Sequence, residues 1–137
     1  MNDIDRIMEI ERKSFIASWS KTMFEEIICS PVSRGLVIEH NSTIVGYIVF
    51  YTVYVEAHVM NLAVDPAERK QGYARQMLDQ ALKFFRENNI SECYLEVREH
   101  NRVAQELYEH FGFEVIGRRK KYYPETNEDA LVMQLLL

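Results

Sequence analysis

The chain has 137 residues, of which 47% are hydrophobic and 27% are charged, and its formal net charge is −5. This composition excludes a disordered or fibrous chain and is typical of one globular domain, while the acidic balance disfavours a nucleic-acid-binding protein. With two cysteines, no apolar run near the ~20 residues that span a bilayer and no signal-peptide pattern, the sequence predicts a single domain, residues 1–137, in the reducing cytoplasm.

The first two predicted elements are helices, the first capped by Asn2 or Asp3 and the second capped by Ser20. Glu11 lies at the edge of the apolar stripe of the first helix. The residues of that stripe are Ile4, Ile7, Met8 and Phe15.

Three strands are predicted next, and the first two form a hairpin with Asn41 and Ser42 at its turn. The strands cover residues 36–38, 44–54 and about 58–64. Gly46 lies inside the second strand and indicates either a bulge or the close approach of a neighbour. Asp65 and Pro66 end the third strand.

The second half of the chain alternates helices and strands. Its predicted elements are a helix from about residue 73 to Asn88, a strand at 91–97, a helix from Asn101 to Phe111, and strands at 114–122 and 129–137. Gly112 occupies the position where a left-handed residue ends a helix. The central strand–helix–strand stretch predicts a parallel strand pair with a right-handed crossover. The fold class is therefore α/β, with a mixed central sheet and helices on both faces.

The segment that opens the long helix carries the strongest chemical signal. Gly72, followed by Ala74, lets the backbone approach a bulky ligand, and the free N–H groups of a first helical turn bind anions. Arg69, Lys70 and Arg75 add positive charge around this turn. The pattern suits a pyrophosphate, and the alternative is a solvated turn with scattered basic residues. Neither a P-loop nor a three-glycine dinucleotide fingerprint is present in the sequence.

A second group of polar residues follows the next strand. Alternation places Tyr94, Glu96 and Arg98 on one face of that strand, and Asn101 and Tyr108 share a face of the short helix. A carboxylate and a phenol that flank one cleft can accept and donate protons. The alternative interpretation is that Glu96 pairs with an arginine and that Tyr108 is a packing residue.

These motifs resemble those of a known family, the Gcn5-related N-acetyltransferases (GNAT), over almost the whole chain. The motifs are Val64-Asp65-Pro66, Arg69-x-x-Gly72-x-Ala74 and Asn101 through Leu107-Tyr108 to Gly112-Phe113. Three further segments resemble the RimI-type and Ard1-type protein N-terminal acetyltransferases. They are Leu95-Glu96-Val97-Arg98, Tyr122-Tyr123-Pro124 and Glu128-Asp129-Ala130.

The resemblance implies a GNAT fold whose sheet splays at its parallel strand pair. It also implies an acetyl-CoA-dependent enzyme that acetylates the N-terminal α-amino group of a protein, with a ribosomal protein among the acceptors considered. Glu96 is then the general base, through water, and Tyr108 the general acid for the CoA thiolate. The implied cofactor residues are Leu62, Ala63, Val64 and Asn101 for the pantetheine arm, and Lys70, Gln71, Gly72, Tyr73, Ala74 and Arg75 for the pyrophosphate. The implied acceptor-groove residues are Phe15, Trp19, Tyr122 and Tyr123.

Two features depart from the family pattern. Members commonly begin with a strand before the first helix, whereas the helix pattern here starts within a few residues of Met1, so that strand is expected to be missing or vestigial. Relatives also often carry a proline where this chain has Ser18, in the loop that helps to choose the substrate.

Direct attack of the amine on the thioester needs no covalent enzyme intermediate, so Cys29 and Cys93 are expected to be packing residues. Trp19 is expected either to staple the first two helices together or to form part of the substrate wall. The histidines and cysteines show no metal-ligand spacing, and no metal is expected.

The predicted partners are a protein N-terminus, with neither direct nucleic-acid contact nor a membrane, and the predicted state is a monomer or weak homo-oligomer. The basic run at residues 118–121 is interpreted as a charged strand edge, or alternatively as a contact for an acidic surface such as ribosomal RNA. Two other functions stay open from the sequence: acetylation of a small amine such as a polyamine or aminoglycoside, and a non-catalytic acyl-CoA-binding module.

Overall fold

The computed structural model describes residues 3–14 and 19–137. In those residues the helices and strands follow the predicted order, with one added turn of 3-10 helix at Pro66–Glu68. The first element of the described residues is a helix, and no strand precedes it there. The helices are α1 (Asp3–Ser14), α2 (Lys21–Cys29), α3 (Tyr73–Glu87) and α4 (Arg102–His110). The strands are β1 (Ser33–His40), β2 (Thr43–Val53), β3 (Glu56–Val64), β4 (Glu92–Arg98), β5 (Glu114–Tyr123) and β6 (Glu128–Leu136).

The strands of the described residues form one mixed sheet in the order β1-β2-β3-β4-β6-β5. Neighbouring strands are antiparallel except β3 and β4, which run parallel and are joined through α3. The predicted strand–helix–strand unit is therefore confirmed, and it places the parallel pair in the middle of the sheet.

Helices cover both faces of the sheet. On one face, α3 and α4 bury an apolar cluster that includes Leu78, Phe85 and the β4 residues Cys93 and Leu95. On the other face, α1 and α2 bury a smaller cluster around Phe24. Since apolar area removed from water is the main stabilising term in folding, these two clusters hold α1 and α3 on opposite sides of the central strands.

The predicted caps and turns after the first helix are confirmed by hydrogen bonds and backbone angles, whereas Asn2, a predicted cap of the first helix, lies outside the described residues. The Ser20 hydroxyl accepts the N–H of Met23 at the start of α2. Asn41 and Ser42 have φ values of 52° and 64°, the left-handed conformation of the tight turns that favour hairpins. Gly112 ends α4 with a φ of 98°.

Both interpretations of Gly46 are confirmed. A Cβ at this position would lie 2.9 Å from Met77 Cε and 3.0 Å from the carbonyl oxygen of Ala63. The register between β1 and β2 also shifts at Ile38/Glu39, directly beside the Ile38–Gly46 pair. The absence of a side chain thus lets α3 pack closely onto β2.

An ion pair ties α1 to the segment that leads into α3. Arg6 Nη2 donates to Asp65 Oδ2 at 2.7 Å, and Arg6 Nε donates to the carbonyl oxygen of Ile44 at 2.8 Å. Asp65 is buried, and the N–H of Ala67 also donates to it. The hydrogen bond from Arg6 is the main reason that the pKa of Asp65 is lowered, and the same bond raises the pKa of Arg6.

We expect the Asp65→Asn substitution to lower the free energy of unfolding at pH 7 by about 2 kcal/mol, because it leaves the Arg6 guanidinium without its counter-charge. A carboxylate whose folded-state pKa is lowered stabilises the fold above its unfolded pKa, near 3.9, and loses that contribution as the pH falls through the folded-state value. The difference between the two proteins should therefore shrink below about pH 4. Urea unfolding at pH 7 and pH 3 measures it, with Asp79→Asn, an exposed substitution on α3, as control. An equal difference at both pH values would contradict this account.

Candidate active site

A cleft opens where β3 and β4 separate. In the described residues these strands pair only at Glu56–Glu92, Ala57–Cys93 and His58–Tyr94, and both continue beyond that point without pairing to each other. The cleft has a volume of about 950 Å³. Of the residues predicted for the site, those that line it are Trp19, Leu62, Glu96, Asn101, Tyr108, Tyr122 and Tyr123. The predicted splay of the parallel pair is thus confirmed, and it forms the cleft that contains both predicted proton-transfer residues.

A β-bulge in β3 accompanies the separation of the strands. The register with β2 shifts between Val49 and Phe50, where Val49 faces Asn61 and Phe50 faces Val59, so Met60 has no opposite residue on β2. A bulge bends its strand and increases the local twist. In β3 this bend turns the residues that follow Met60 away from β4. This bulge was not predicted from the sequence.

The turn before α3 has the geometry of an anion cradle. Lys70 and Gly72 have φ values of 66° and 84°, so left-handed residues alternate along the turn, as in backbone anion nests. Gly72 is the N-cap of α3 and makes no side-chain cap bond, whereas Ser20 and Asn101 cap α2 and α4. A Cβ at Gly72 would meet nothing within 4 Å. The open space and the uncapped helix start fit a pyrophosphate.

The cofactor residues predicted on β3 differ in their surroundings. Leu62 lines the cleft, whereas the side chains of Ala63 and Val64 are buried on opposite faces of the sheet. The carbonyl oxygen of Val64 already accepts a hydrogen bond from Arg69 Nε at 3.2 Å. Asn101 lines the cleft, and its Oδ1 caps α4 by accepting the N–H of Ala104.

Glu96 projects from β4 into the cleft and has two unlike oxygens. Its Oε1 lies 3.3 Å from Arg119 Nε, so the predicted pairing with an arginine is present. Its Oε2 is buried and has no hydrogen-bond partner among the described residues. Because a buried carboxylate oxygen without a donor is costly, this oxygen is available for an N–H or a water from a ligand in the cleft.

Tyr108 lies on α4 on the floor of the cleft. It is 7% exposed, and its ring packs against Phe113 with 5.7 Å between centroids, so the packing interpretation is also correct. Burial chiefly, and then Tyr123 and Cys93, raises the pKa of Tyr108. The hydroxyl therefore keeps its proton across the neutral range and can donate it to a developing anion.

Tyr122 and Tyr123 form one wall of the cleft. Their rings meet edge to face, with 5.1 Å between centroids. Partial burial and the Glu96 carboxylate raise the pKa of Tyr122, and burial raises the pKa of Tyr123 to about 12. The guanidinium carbon of Arg98 lies 3.9 Å from the centroid of the Tyr123 ring. The same guanidinium forms ion pairs with Glu125 and Glu128.

Trp19 packs against the second helix, as one of its two predicted roles requires, and it also lies in the lining of the cleft, where a substrate wall was predicted. Its ring contacts Phe24 of α2 with 4.8 Å between centroids, and it lines the cleft. Phe15, which is predicted for the acceptor groove, and Ser18, which is predicted for the loop that helps to choose the substrate, lie outside the described residues. The predicted orientation of Cys93 is correct, because it is buried in the core on the other face, where burial raises the pKa of its thiol to about 12.

Glu11 and Asn61 also line the cleft but were not predicted as site residues, and Arg98 was predicted only to share a strand face with Glu96. Glu11 was expected at the edge of the apolar stripe of α1, but it is 1% exposed, so that expectation was wrong. Its position, four residues after Ile7 and three after Met8, is a core position of the helix and could have identified it.

Two further findings concern the described residues only. They contain no group of three or more His, Cys, Asp or Glu side chains placed to hold a metal ion. None of their helices has both the length and the apolar character that crossing a bilayer needs.

Comparisons with known proteins agree with this geometry. Residues 4–113 match the family model described as the acetyltransferase (GNAT) family. The ribosomal protein bS18-alanine N-acetyltransferase of Haemophilus ducreyi is 35% identical over 140 residues, which cover 98% of this chain and 94% of that protein.

Two solved structures share the fold over nearly the full chain. The crystal structure of the ribosomal-protein-S18-alanine N-acetyltransferase from Escherichia coli has a TM-score of 0.93 and 29% identity, covering 98% of this chain and 87% of that one. The structure of Ard1 from Thermoplasma volcanium has a TM-score of 0.92 and 25% identity, covering 98% and 91%.

Proposed function

The chain belongs to the GNAT family and is an acetyl-CoA-dependent N-acetyltransferase, and from that premise we propose that its acceptor is the N-terminal α-amino group of a protein that begins with alanine. The predicted resemblance to RimI-type and Ard1-type enzymes, the predicted fold and the predicted cosubstrate are confirmed. The two bacterial proteins named above are bS18-alanine acetyltransferases, and ribosomal protein bS18 is the acceptor that we propose for this chain.

One observation carries the proposal: a carboxylate with an unpartnered buried oxygen lies in a cleft that also contains a buried phenol and an aromatic wall. Glu96, Tyr108 and the Tyr122–Tyr123 wall all line this space. With a volume of about 950 Å³, the cleft has room for the end of a peptide chain, and it is polar at Glu96 and Tyr108, where an amine has to lose a proton.

The proposed reaction assigns a proton-transfer role to each catalytic residue. A free α-amine has a pKa near 8, so removing its proton at pH 7 costs about 1.4 kcal/mol. A weak general base is therefore sufficient to remove it. Glu96 accepts that proton through water, the amine nitrogen forms a bond with the thioester carbonyl carbon, and the carbon–sulfur bond breaks. Tyr108 donates its proton to the leaving sulfur, and the second proton that the acetylated nitrogen has to lose passes through water to the tyrosine oxygen, which restores the phenol.

The proposed donor site uses the cradle before α3. The N–H groups of residues 70–75 hold the pyrophosphate, where the helix start provides about half a positive charge. Leu62, Ala63 and Val64 provide backbone groups for the pantetheine arm, and Asn101 bonds its side. Trp19, Tyr122 and Tyr123 then hold the acceptor, with Phe15 assigned to the same wall from the sequence.

A small polyamine is a weaker candidate for the acceptor. Such a ligand carries several positive charges and needs several available carboxylates. The cleft contains Glu11, Glu96, Glu125 and Glu128, but Arg98 already pairs with the last two and Arg119 with Glu96. The site is therefore better suited to a peptide that presents a single amine and packs against the Tyr122–Tyr123 wall.

The surroundings of the site support the other parts of the proposal. We propose one N-acetyltransferase domain, residues 1–137, that acts in the cytoplasm as a monomer or weak homo-oligomer without direct nucleic-acid contact. In the basic run, Arg118 pairs with Glu99 and Asp129, and Arg119 pairs with Glu96, so half of its charge is balanced within the protein. Both cysteines are free, which suits a reducing compartment.

The test is incubation with acetyl-CoA and peptides that share one sequence but begin with alanine, serine, aspartate or tryptophan. We expect a mass increase of one acetyl group that is largest for alanine and located on the α-amine. The controls are the alanine peptide with a blocked N-terminus and an internal lysine, and spermidine. Acetylation of spermidine or of the blocked peptide at an equal rate would contradict the proposal.

A further inference from the structure

A buried carboxylate in the lining of the cleft has no role in the reaction described above. Glu11 of α1 accepts the backbone N–H of Trp19 at 2.8 Å on Oε2, and Asn61 Nδ2 at 2.6 Å on Oε1. The Tyr47 hydroxyl also donates to Oε1. Burial, the hydrogen bond to Glu11 and its charge raise the pKa of Tyr47, so this phenol remains a donor.

These hydrogen bonds determine how the Asn61 amide is oriented. A carboxylate has only acceptors, so the amide of Asn61 has to direct its NH₂ group towards Glu11. The two ends of the amide point in different directions, and its carbonyl oxygen is therefore turned away from Glu11. Because Asn61 itself lines the cleft, this oxygen is presented to whatever the cleft contains.

Asn61 and Glu96 face the same space from the two separated strands. Asn61 lies on the face of β3 that contacts α1, as its bond to Glu11 shows. On β4, the core contains Cys93, Leu95 and Val97, so Glu96 lies on the face opposite to α3 and α4. The two side chains therefore lie on one side of the sheet, across the gap between the strands, and both are acceptors.

We propose that the Asn61 carbonyl oxygen binds the amino group of the acceptor, and that Glu11 is the positioning residue that orients it. This inference rests on the proposed function, since it assigns a binding group for the acceptor amine at that same site. An ammonium or amine in the cleft has more than one N–H, so it can donate to Asn61 while another N–H is directed to Glu96. Glu11 also holds Trp19, so one carboxylate orders an acceptor group on β3 and the start of the aromatic wall.

The test uses the isosteric Glu11→Gln substitution, which reverses the donor and acceptor roles at one position. The glutamine oxygen replaces Oε2 as the acceptor of the Trp19 N–H, so its NH₂ group takes the place of Oε1 beside Tyr47 and Asn61. The Tyr47 hydroxyl and the Asn61 carbonyl oxygen then accept from this NH₂ group, and Asn61 turns its own NH₂ into the cleft. We expect the KM for an alanine-initiated peptide to rise about 10-fold, since hydrogen bonds to charged groups are the stronger class. The kcat should change less than about 3-fold, and the Kd for acetyl-CoA, measured by calorimetry, should stay the same.

A double-mutant cycle separates this role from a purely structural tie between α1 and the sheet. Asn61→Ala should raise the peptide KM by a similar factor, and Glu11→Gln should add almost nothing in the Asn61→Ala background. Glu26→Gln, an exposed substitution on α2, is the matched control, and melting temperatures report whether each variant is folded.

Each outcome of this experiment has a defined meaning. A rise in peptide KM that is shared by the two single variants and not increased in the double variant supports the inference. Unchanged KM values, a loss confined to kcat, or additive losses in the double variant overturn it. If the unmodified protein acetylates no peptide, the proposed function fails first and this inference falls with it; acetylation with unaffected variants contradicts the inference alone.

Discussion

Replacement of Glu96 by glutamine is expected to lower kcat/KM for peptide acetylation about 100-fold at pH 7, the lower end of the range for general base catalysis. Glutamine keeps the shape of the side chain but cannot accept the proton of the acceptor ammonium. Its amide can also place an NH₂ group, which does not accept hydrogen bonds, at the position of the buried, unpartnered Oε2. The Kd for acetyl-CoA should change less than about 2-fold, because the cradle before α3 is a separate part of the molecule.

The pH dependence of this loss identifies the role of Glu96. With an amine pKa near 8, about one-tenth of the acceptor is unprotonated at pH 7 and about nine-tenths at pH 9. The variant must use amine that solvent has already deprotonated, so its deficit should shrink to about 10-fold at pH 9. Initial rates at both pH values test this, with Glu87→Gln at the far end of α3 as control. A deficit that is independent of pH would reject Glu96 as the base.

Replacement of Tyr108 by phenylalanine is expected to lower kcat about 100-fold, the lower end of general acid effects, and to change the Kd for acetyl-CoA less than about 3-fold. Phenylalanine keeps the ring that packs on Phe113, so the fold should be preserved. What is lost is the hydroxyl that protonates the leaving sulfur. Tyr54→Phe is the matched control, because that side chain is 96% exposed.

The direction of the pKa shift of Tyr108 adds a second measurement. Burial raises this pKa, so the hydroxyl keeps its proton, and kcat of the unmodified protein should not fall between pH 8 and about pH 10, the usual pKa of tyrosine. A falling limb in that range which disappears in Tyr108→Phe would contradict the assignment. Equal losses in kcat and in acetyl-CoA affinity would instead indicate that Tyr108 only binds the cosubstrate.

Helix α1 connects the two halves of the proposed site. Near its start, Arg6 pairs with Asp65, which precedes the cradle, and at its end Ser14 accepts a hydrogen bond from Arg69 at 3.3 Å. Between these points Glu11 binds Trp19 and Asn61 on the acceptor side. One helix therefore positions the turn for the donor and the wall for the acceptor, which explains why α1 carries the buried carboxylate of Glu11.

Local sequence patterns predicted the elements and the positions of the proposed proton-transfer residues. Caps such as Ser20 and Asn101, the left-handed Gly112 and the apolar spacing of α3 act within one or two helical turns. Alternation along β4 likewise placed Glu96 and Cys93 on opposite faces. These features depend on neighbours a few residues away, so a single sequence contains what is needed to predict them.

The sequence by itself therefore determined the order of elements, the strand–helix–strand unit and the turn at Gly72. Only the tertiary structure decided that Met60 forms a bulge, that Arg119 pairs with Glu96, and that Glu11 is buried against Tyr47 and Asn61. The physical reason is separation along the chain: Glu11 lies 36 residues from Tyr47 and 50 residues from Asn61. Contacts of this kind form only when packing brings the elements together, and no local periodicity encodes which donor a buried carboxylate will meet.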